Sequence, residues 1–385
     1  MAAAELYSKE QVGIASSVLS SLFLIELISR LGLDNSIIRF FPEKNKCRVF
    51  STAIVLAPLL ALMLSIICIK MKYFSGLVGV ELLTIEKYII YILTPVVISF
   101  LVMLGTSLRA IHKAEFSLFL NLSRSLCILF LLPFLTLGID GIIGAFFASS
   151  LLVLLMSIFL ANRLGFRFFF EIDTVFLRDA VKFSIGNYLA TLSTLSIYSI
   201  IPILVMILLG ATDAAYFTIA FSSCTLLFKI PASMAESLFI EGSGEKDLKE
   251  IIIKTTKIVT ITLVILSAIL YLASYHLLDL IGRDQFGENY IHSLDLLRIF
   301  IISSFFVAST SIYLAIKMIQ KNIIELIIMS GLITFLVIIS CYVFMRNFGL
   351  LGLGYGWLLG HGLCFVIICI LIFREFYSDN RAIHI

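Results

Sequence analysis

The chain has 385 residues, 61% of them hydrophobic and only 14% charged, with a formal net charge of +3. Its mean hydropathy is +1.10. A soluble domain of this size needs far more polar surface to cover its core, so the composition excludes one.

Taken in chain order, stretches of about 18 or more apolar residues recur, each long enough to cross a hydrocarbon core. They predict an all-α integral membrane protein with eleven spans, at roughly 14–33, 49–69, 88–108, 117–138, 141–161, 184–209, 213–233, 255–278, 293–316, 323–345 and 351–373. The gaps alternate in basic content. One set holds Arg39, Lys44, Lys46 and Arg48, then Arg109, Lys113 and Arg124, then Arg163, Arg167, Arg178 and Lys182. It continues with Lys229, Lys246, Lys249, Lys254 and Lys257, then Lys317 and Lys321, and ends with Arg374 and Arg381 in the tail. The other set holds only Lys70, Lys72, Lys87, Arg283 and Arg346. By the positive-inside rule the first set is cytoplasmic, the C-terminus included. An odd number of spans then puts the N-terminus outside, and residues 1–13 carry no signal peptide. The expectation is one further helix, running outward, ahead of Met1.

The longest stretches outside the spans, roughly 70–87, 162–183 and 234–254, leave no room for an appended soluble domain. The seven cysteines and five histidines are dispersed, with no CxxC and no His at metal-ligand spacing. No metal or cofactor site is expected, and the outer gaps are too small to house the carboxylates of a membrane glycosyltransferase. The chain is read as a non-enzyme. Gly352, Gly354, Gly356 and Gly360 in "GLLGLGYGWLLGHG" open an apolar span; small residues there favour close helix packing or bending over ligand contact.

An ionisable residue at membrane depth is a functional candidate by default. Glu26 and Arg30 share one helical face in the first span. They read either as a self-neutralising pair or as a polar seam facing a water-filled cavity, with Arg30 open to an anionic headgroup. Arg39 reads as an inner-face anchor or a ligand contact, and Arg298 as an isolated cation or a partner of Asp295. Arg109 and His112 end the third span at the interface. Glu236 and Glu241 flank "SLFI" at the inner end of the seventh span and are candidates for gating or coupling. Pro58, Pro95, Pro133, Pro202 and Pro231 fall in or near spans, where each removes a backbone hydrogen bond and weakens the helix.

Two segments read alike when a gap of about two residues is allowed: "SKEQVGIASSVLSSLFLIELISRLGLDNSIIRFFPE" and "ATDAAYFTIAFSSCTLLFKIPASMAESLFIEGSGE". They suggest two parallel halves: an N-lobe of five spans over 1–162 and a C-lobe of six over 163–385. The first of these segments, "LRAIHKAEFSLFLNLSRS", the long stretch from "FLRDAVKFSIGNYLATLSTLS" to "MAESLFIEGS", and "GLLGLGYGWLLGHG" together resemble the polysaccharide transporter (Wzx-type flippase) branch of the MOP superfamily.

That resemblance implies a twelve-helix, two-lobe MOP/MATE-like fold, here lacking the first helix. It also implies transport of a polyprenyl-(pyro)phosphate-linked oligosaccharide from the inner to the outer leaflet of the cell membrane. On this reading Arg30, Arg39 and Arg298 contact the phosphate or sugar, Glu26 tunes Arg30, and Glu236, Glu241 and Asp295 serve gating or coupling. The partners are the lipid-linked oligosaccharide, membrane lipid, and a glycosyltransferase or polymerase of the same pathway; nucleic acid is not among them. Two alternatives stay open: a MATE-like cation or drug antiporter, and a non-transporting scaffold for envelope polymer assembly.

Overall fold

A computed structural model describes residues 2–41, 45–71, 85–134, 138–163, 172–242, 248–281 and 290–382. Lys44, Lys72, Arg167, Lys246 and Arg283 lie outside the described residues, as do the side chains of Lys87, Lys182, Glu241 and Arg381. The chain divides into two compact units, Met1–Ala215 and Tyr216–Ile385.

The first unit holds α1 (Ala2–Leu6), α2 (Lys9–Ser29), α3 (Leu33–Phe40), α4 (Lys46–Lys70), α5 (Ile85–Ala110), α6 (Ala114–Leu131), α7 (Ile139–Arg163) and α8 (Thr174–Leu209). Helix starts are set by local chemistry. The Ser8 hydroxyl accepts from the Gln11 backbone N–H while the Gln11 side chain accepts from Ser8, a reciprocal cap that closes two orphan donors. Asn45 and Asp173 cap α4 and α8 through their side-chain oxygens. Between α2 and α3 the chain turns at Gly32, whose φ is +74° and whose missing Cβ would lie 2.9 Å from the Tyr188 Cβ. Both facts demand glycine.

Lipid tails are as apolar as leucine, so these helices hold together through close packing and interhelical hydrogen bonds, each contributing roughly 0.6–2 kcal/mol. α2 lies at the centre of the unit, against α4, α5, α7 and α8. Its Ser21 hydroxyl meets the Tyr91 hydroxyl of α5 at 2.9 Å, and the Tyr188 hydroxyl of α8 donates to the Ile28 carbonyl at 2.8 Å. Ser36 of α3 and Ser184 of α8 share a hydrogen bond of 2.6 Å. Pro58, Pro95 and Pro202 lie inside helices as expected. Pro133 does not: α6 ends at Leu131 and Pro133 sits in a single 3-10 turn, Leu132–Phe134, a helix end at which its missing N–H costs least.

The second unit holds most of α9 (Ala211–Gly242), with α10 (Leu248–Leu280), α11 (Leu294–Ile319) and α12 (Ile323–Ala382); Pro231 lies within α9. The last of these is two spans. Gly349, at φ +59° and ψ −141°, interrupts it. A Cβ on Gly356 would come within 2.5 Å of the Cys341 backbone, and one on Gly360 within 2.7 Å of the Val337 Cα. The pairing of 356 with 341 and of 360 with 337 runs antiparallel, so α12 is a helical hairpin whose arms touch backbone to backbone. The glycines serve packing and bending. Phe221 and Phe228 of α9 and Phe300 of α11 close around the buried Trp357, with ring centroids 5.6–5.9 Å from it.

Lys317 departs from its sequence reading. Counted with the cytoplasmic loop set, it is buried at 1% exposure. Its ammonium lies 3.1 Å from Glu325 and 5.2 Å from the Tyr313 ring centroid. The Tyr313 hydroxyl donates to one Glu325 oxygen, and the Asn322 amide donates to the other at 2.7 Å. The α11–α12 turn folds Glu325 back onto the lysine, which lets the charge leave water.

Ten helices of the described residues are long and apolar enough to cross a membrane, and the hairpin makes the last of them two spans.

Candidate functional site

Four helices of the first unit converge on a polar cavity of about 280 Å³. Glu26 and Arg30 come from the last turns of α2, Gly105 and Arg109 from the end of α5, and Ser117, Asn121 and Arg124 from the first half of α6. Val153 of α7 completes the wall. The cavity lies toward the end of the unit that carries the α2 C-terminus and the α5–α6 turn, and its volume is several times the ~30 Å³ share of one water.

Arg30 caps α2 and Arg109 stands in the last turn of α5, where cations meet the negative ends of helix dipoles. Arg30 is firmly held. Its Nε and Nη2 donate to the two Glu26 oxygens at 2.7 Å each, and Nη1 is 3.7 Å from Asp34. Glu26 is itself 1% exposed, so this bidentate pair is both of the things the sequence suggested: self-neutralising, and part of a cavity wall. Arg109 is exposed and donates to the Thr106 hydroxyl at 3.0 Å.

Arg124 is different. Its guanidinium lies 5.7 Å from the Phe146 ring centroid, and its buried Nε has no hydrogen-bond partner. Among the described residues no carboxylate is in ion-pair contact with it; the Glu26 charge, already bound to Arg30, acts on it across the cavity. Phe146 is held edge-on by Phe23, centroids 5.5 Å apart. The wall therefore presents three guanidinium groups and one carboxylate, and that carboxylate is already committed to Arg30. An anion fits such a site; a cation is repelled.

Glu26 and Arg30, both candidates by their place in the first span, line the cavity. Arg109 ends its span as its position suggests, whereas Arg124, grouped by sequence with the basic gap, sits well inside α6. Ser117, Asn121 and Arg124 recur at i, i+4, i+7, a polar stripe along one face of a mostly apolar helix. That spacing was the available signal. Arg39, exposed at the end of α3 with its guanidinium 6.0 Å from the Phe40 ring centroid, is not among the residues lining the cavity. Arg298 belongs to the second unit, 4.9 Å from the Tyr271 ring centroid with a buried, unpartnered Nε; among the described residues it makes no ion pair with Asp295, which is exposed. Glu236 is exposed on α9, and the Glu241 side chain lies outside the described residues.

Residues 3–239 match the polysaccharide biosynthesis protein family. The chain belongs to that family. The fold of this family member is that of the MOP superfamily. It is similar to the lipid II flippase MurJ in an inward closed conformation, at TM-score 0.75 and 14% identity over 96% of this chain and 83% of that one, and to a second structure at TM-score 0.73. The latter is an inward-facing multidrug resistance MATE family transporter, 15% identical over 99% of this chain and 96% of that one. A MOP superfamily transporter from Pyrococcus furiosus, described as having a binding pocket of reverse polarity, is similar at TM-score 0.68 and 16% identity, over 97% of this chain and 89% of that one. No curated protein matches the chain by sequence. The polysaccharide biosynthesis family member is thus a multi-pass membrane protein of MOP-type fold, built around helices that match the sequence-predicted spans.

Proposed function

We propose that the chain is a non-enzymatic flippase that carries a polyprenyl-(pyro)phosphate-linked oligosaccharide from the inner to the outer leaflet of the cell membrane. The observation that carries this reading is the excess of guanidinium over carboxylate in the α2–α5–α6 cavity, with Arg124 unpaired at membrane depth. Arginine forms bidentate, charge-assisted hydrogen bonds with phosphate. Family membership supports the glycan context, and a relative of the same fold is described as a lipid II flippase.

Positive-inside orientation sets the α5–α6 turn, with Arg109 and Lys113, and the C-terminus on the cytoplasmic side, so the cavity serves the inner leaflet. Arg124 takes the phosphate first. Arg30, steered by Glu26 and Asp34, adds a second donor, while Ser117 and Asn121 offer hydrogen bonds to sugar hydroxyls. Arg298 is a separate candidate in the second unit for the same anionic cargo. Prolines inside α4, α5, α8 and α9 supply the weak points that alternating access needs. A cation antiporter would need an uncommitted buried carboxylate, and Glu26 is committed; a scaffold has no use for an unpaired Arg124. The handover partner is a glycosyltransferase or polymerase of the same pathway.

The test is flipping of a fluorescent polyprenyl diphosphate saccharide in proteoliposomes. Arg124→Gln lowers the rate at least about tenfold, equivalent to about 1.4 kcal/mol, and Arg30→Ala and Arg298→Ala also lower it. Unchanged flipping in all three variants would sink the assignment, and proton-driven uptake of an organic cation would favour the antiporter.

A further inference from the structure

The cavity accounts for one end of an amphiphile. On α6 and α7 a second recess of about 620 Å³ lies beside it, within the range of about 300–1,000 Å³ typical of small-molecule sites. Its wall is apolar except at one end: Phe116, Phe119 and Leu120 from α6 and Leu155, Met156, Phe159 and Leu160 from α7 line it, with Glu115, 3.8 Å from the Lys113 ammonium, at the start of α6. Phe119, Leu155, Met156 and Phe159 are exposed, so the recess opens toward the hydrocarbon.

Leu120 lines both spaces. The groove uses Phe116 and Phe119 on one side of α6, and the cavity uses Ser117, Asn121 and Arg124 on another. The two stretches overlap along α6 between Ser117 and Leu120, so the apolar recess and the cationic chamber adjoin at Leu120, and the chamber runs on to Arg124, about 6 Å further at 1.5 Å per residue. Aromatic faces and a flexible methionine suit an irregular hydrocarbon chain. The unpaired Arg124 supplies the charge complement that selects a phosphate-headed lipid over an uncharged one.

We propose that the α6–α7 groove holds the isoprenoid chain of a polyprenyl phosphate lipid whose head enters the arginine cavity, the two spaces meeting at Leu120 on the α6–α7 side. The assignment rests on reading the cavity as a lipid-phosphate site. Tail and head bind together, each raising the effective concentration of the other.

The test uses the full chain in phosphatidylcholine nanodiscs, with a polyprenyl phosphate bearing a diazirine on its isoprenoid chain, and adduct mapping by mass spectrometry. Adducts concentrate on Phe119, Met156 and Phe159. Excess unlabelled polyprenyl phosphate removes them at least about tenfold more effectively than uncharged polyprenol, and phosphatidylglycerol, which has the phosphate without the isoprenoid chain, competes less well than polyprenyl phosphate. Arg124→Gln lowers groove labelling, and Met156→Trp lowers it by filling the recess; because Met156 faces lipid, the fold tolerates the change. Arg124-dependent phosphate-lipid binding with adducts elsewhere overturns the groove and leaves the cavity reading standing. Equal competition by polyprenol, or by phosphatidylglycerol, overturns the groove as a specific tail site and marks it as a seat for bulk lipid. Loss of all Arg124-dependent binding overturns the cavity reading and the tail site with it.

Discussion

Lys317 in the second unit and Arg124 in the first are both cations removed from bulk water, and the chain treats them in opposite ways. Lys317 has Glu325 at 3.1 Å, the Tyr313 ring beneath it, and a carboxylate partner fixed from both sides by Tyr313 and Asn322. Arg124 has the face of Phe146 and an orphaned Nε. Leaving a charge at membrane depth without a counter-ion of its own is costly, so the fully paired Lys317 is explained by the fold, whereas Arg124 has only the Glu26 carboxylate that Arg30 already holds. The first unit keeps a deficit of negative charge that a ligand can supply; in the second, the Lys317 cluster is closed.

The largest effect expected from this contrast is on stability. Lys317→Ala strands Glu325 and lowers unfolding free energy by about 3 kcal/mol, the low end of the range for a broken buried pair, because the Glu325 side chain keeps 23% exposure. Thermal unfolding in detergent reads it, and Lys317→Met combined with Glu325→Gln recovers most of the loss. The reverse pattern holds at Arg124. Arg124→Gln lowers transport by a factor corresponding to about 1.5–3 kcal/mol, the worth of hydrogen bonds to a charged group, while thermal stability stays level or rises.

Gly105 sharpens the comparison from the side of volume. A Cβ there would already lie 3.2 Å from the Ser117 hydroxyl, so Gly105→Leu fills the chamber without touching a charge. Transport falls about tenfold, or about 1.4 kcal/mol, with overpacking strain of roughly 1–3 kcal/mol read by the same unfolding assay. The smallest effect belongs to Arg39. It is exposed at the end of α3, where screening leaves a charge worth at most about 1 kcal/mol, and Arg39→Ala changes transport less than the cavity variants do.

The spans were legible because a hydrocarbon core sets a length that the sequence must meet. Helix ends were less so: α8 starts at Thr174, about ten residues before the apolar run, because Asp173 caps it there. The hairpin at Gly349 was readable from its glycines. Glu26 with Arg30 was readable because i, i+4 spacing forces the two side chains onto one face. Lys317 was not, since its partner lies eight residues on, in the next helix, and only the turn brings them together. Arg124 was lost to the topology argument, which credits every basic residue near a span end to the loop.

Binding of polyprenyl phosphate to the purified chain tests the central claim most directly, measured for wild type, Arg124→Gln and the Lys317→Met/Glu325→Gln pair. The account predicts affinity at least about tenfold weaker for Arg124→Gln and unchanged for the Lys317/Glu325 pair. Affinity that ignores Arg124, or that falls with the Lys317/Glu325 pair instead, would contradict it.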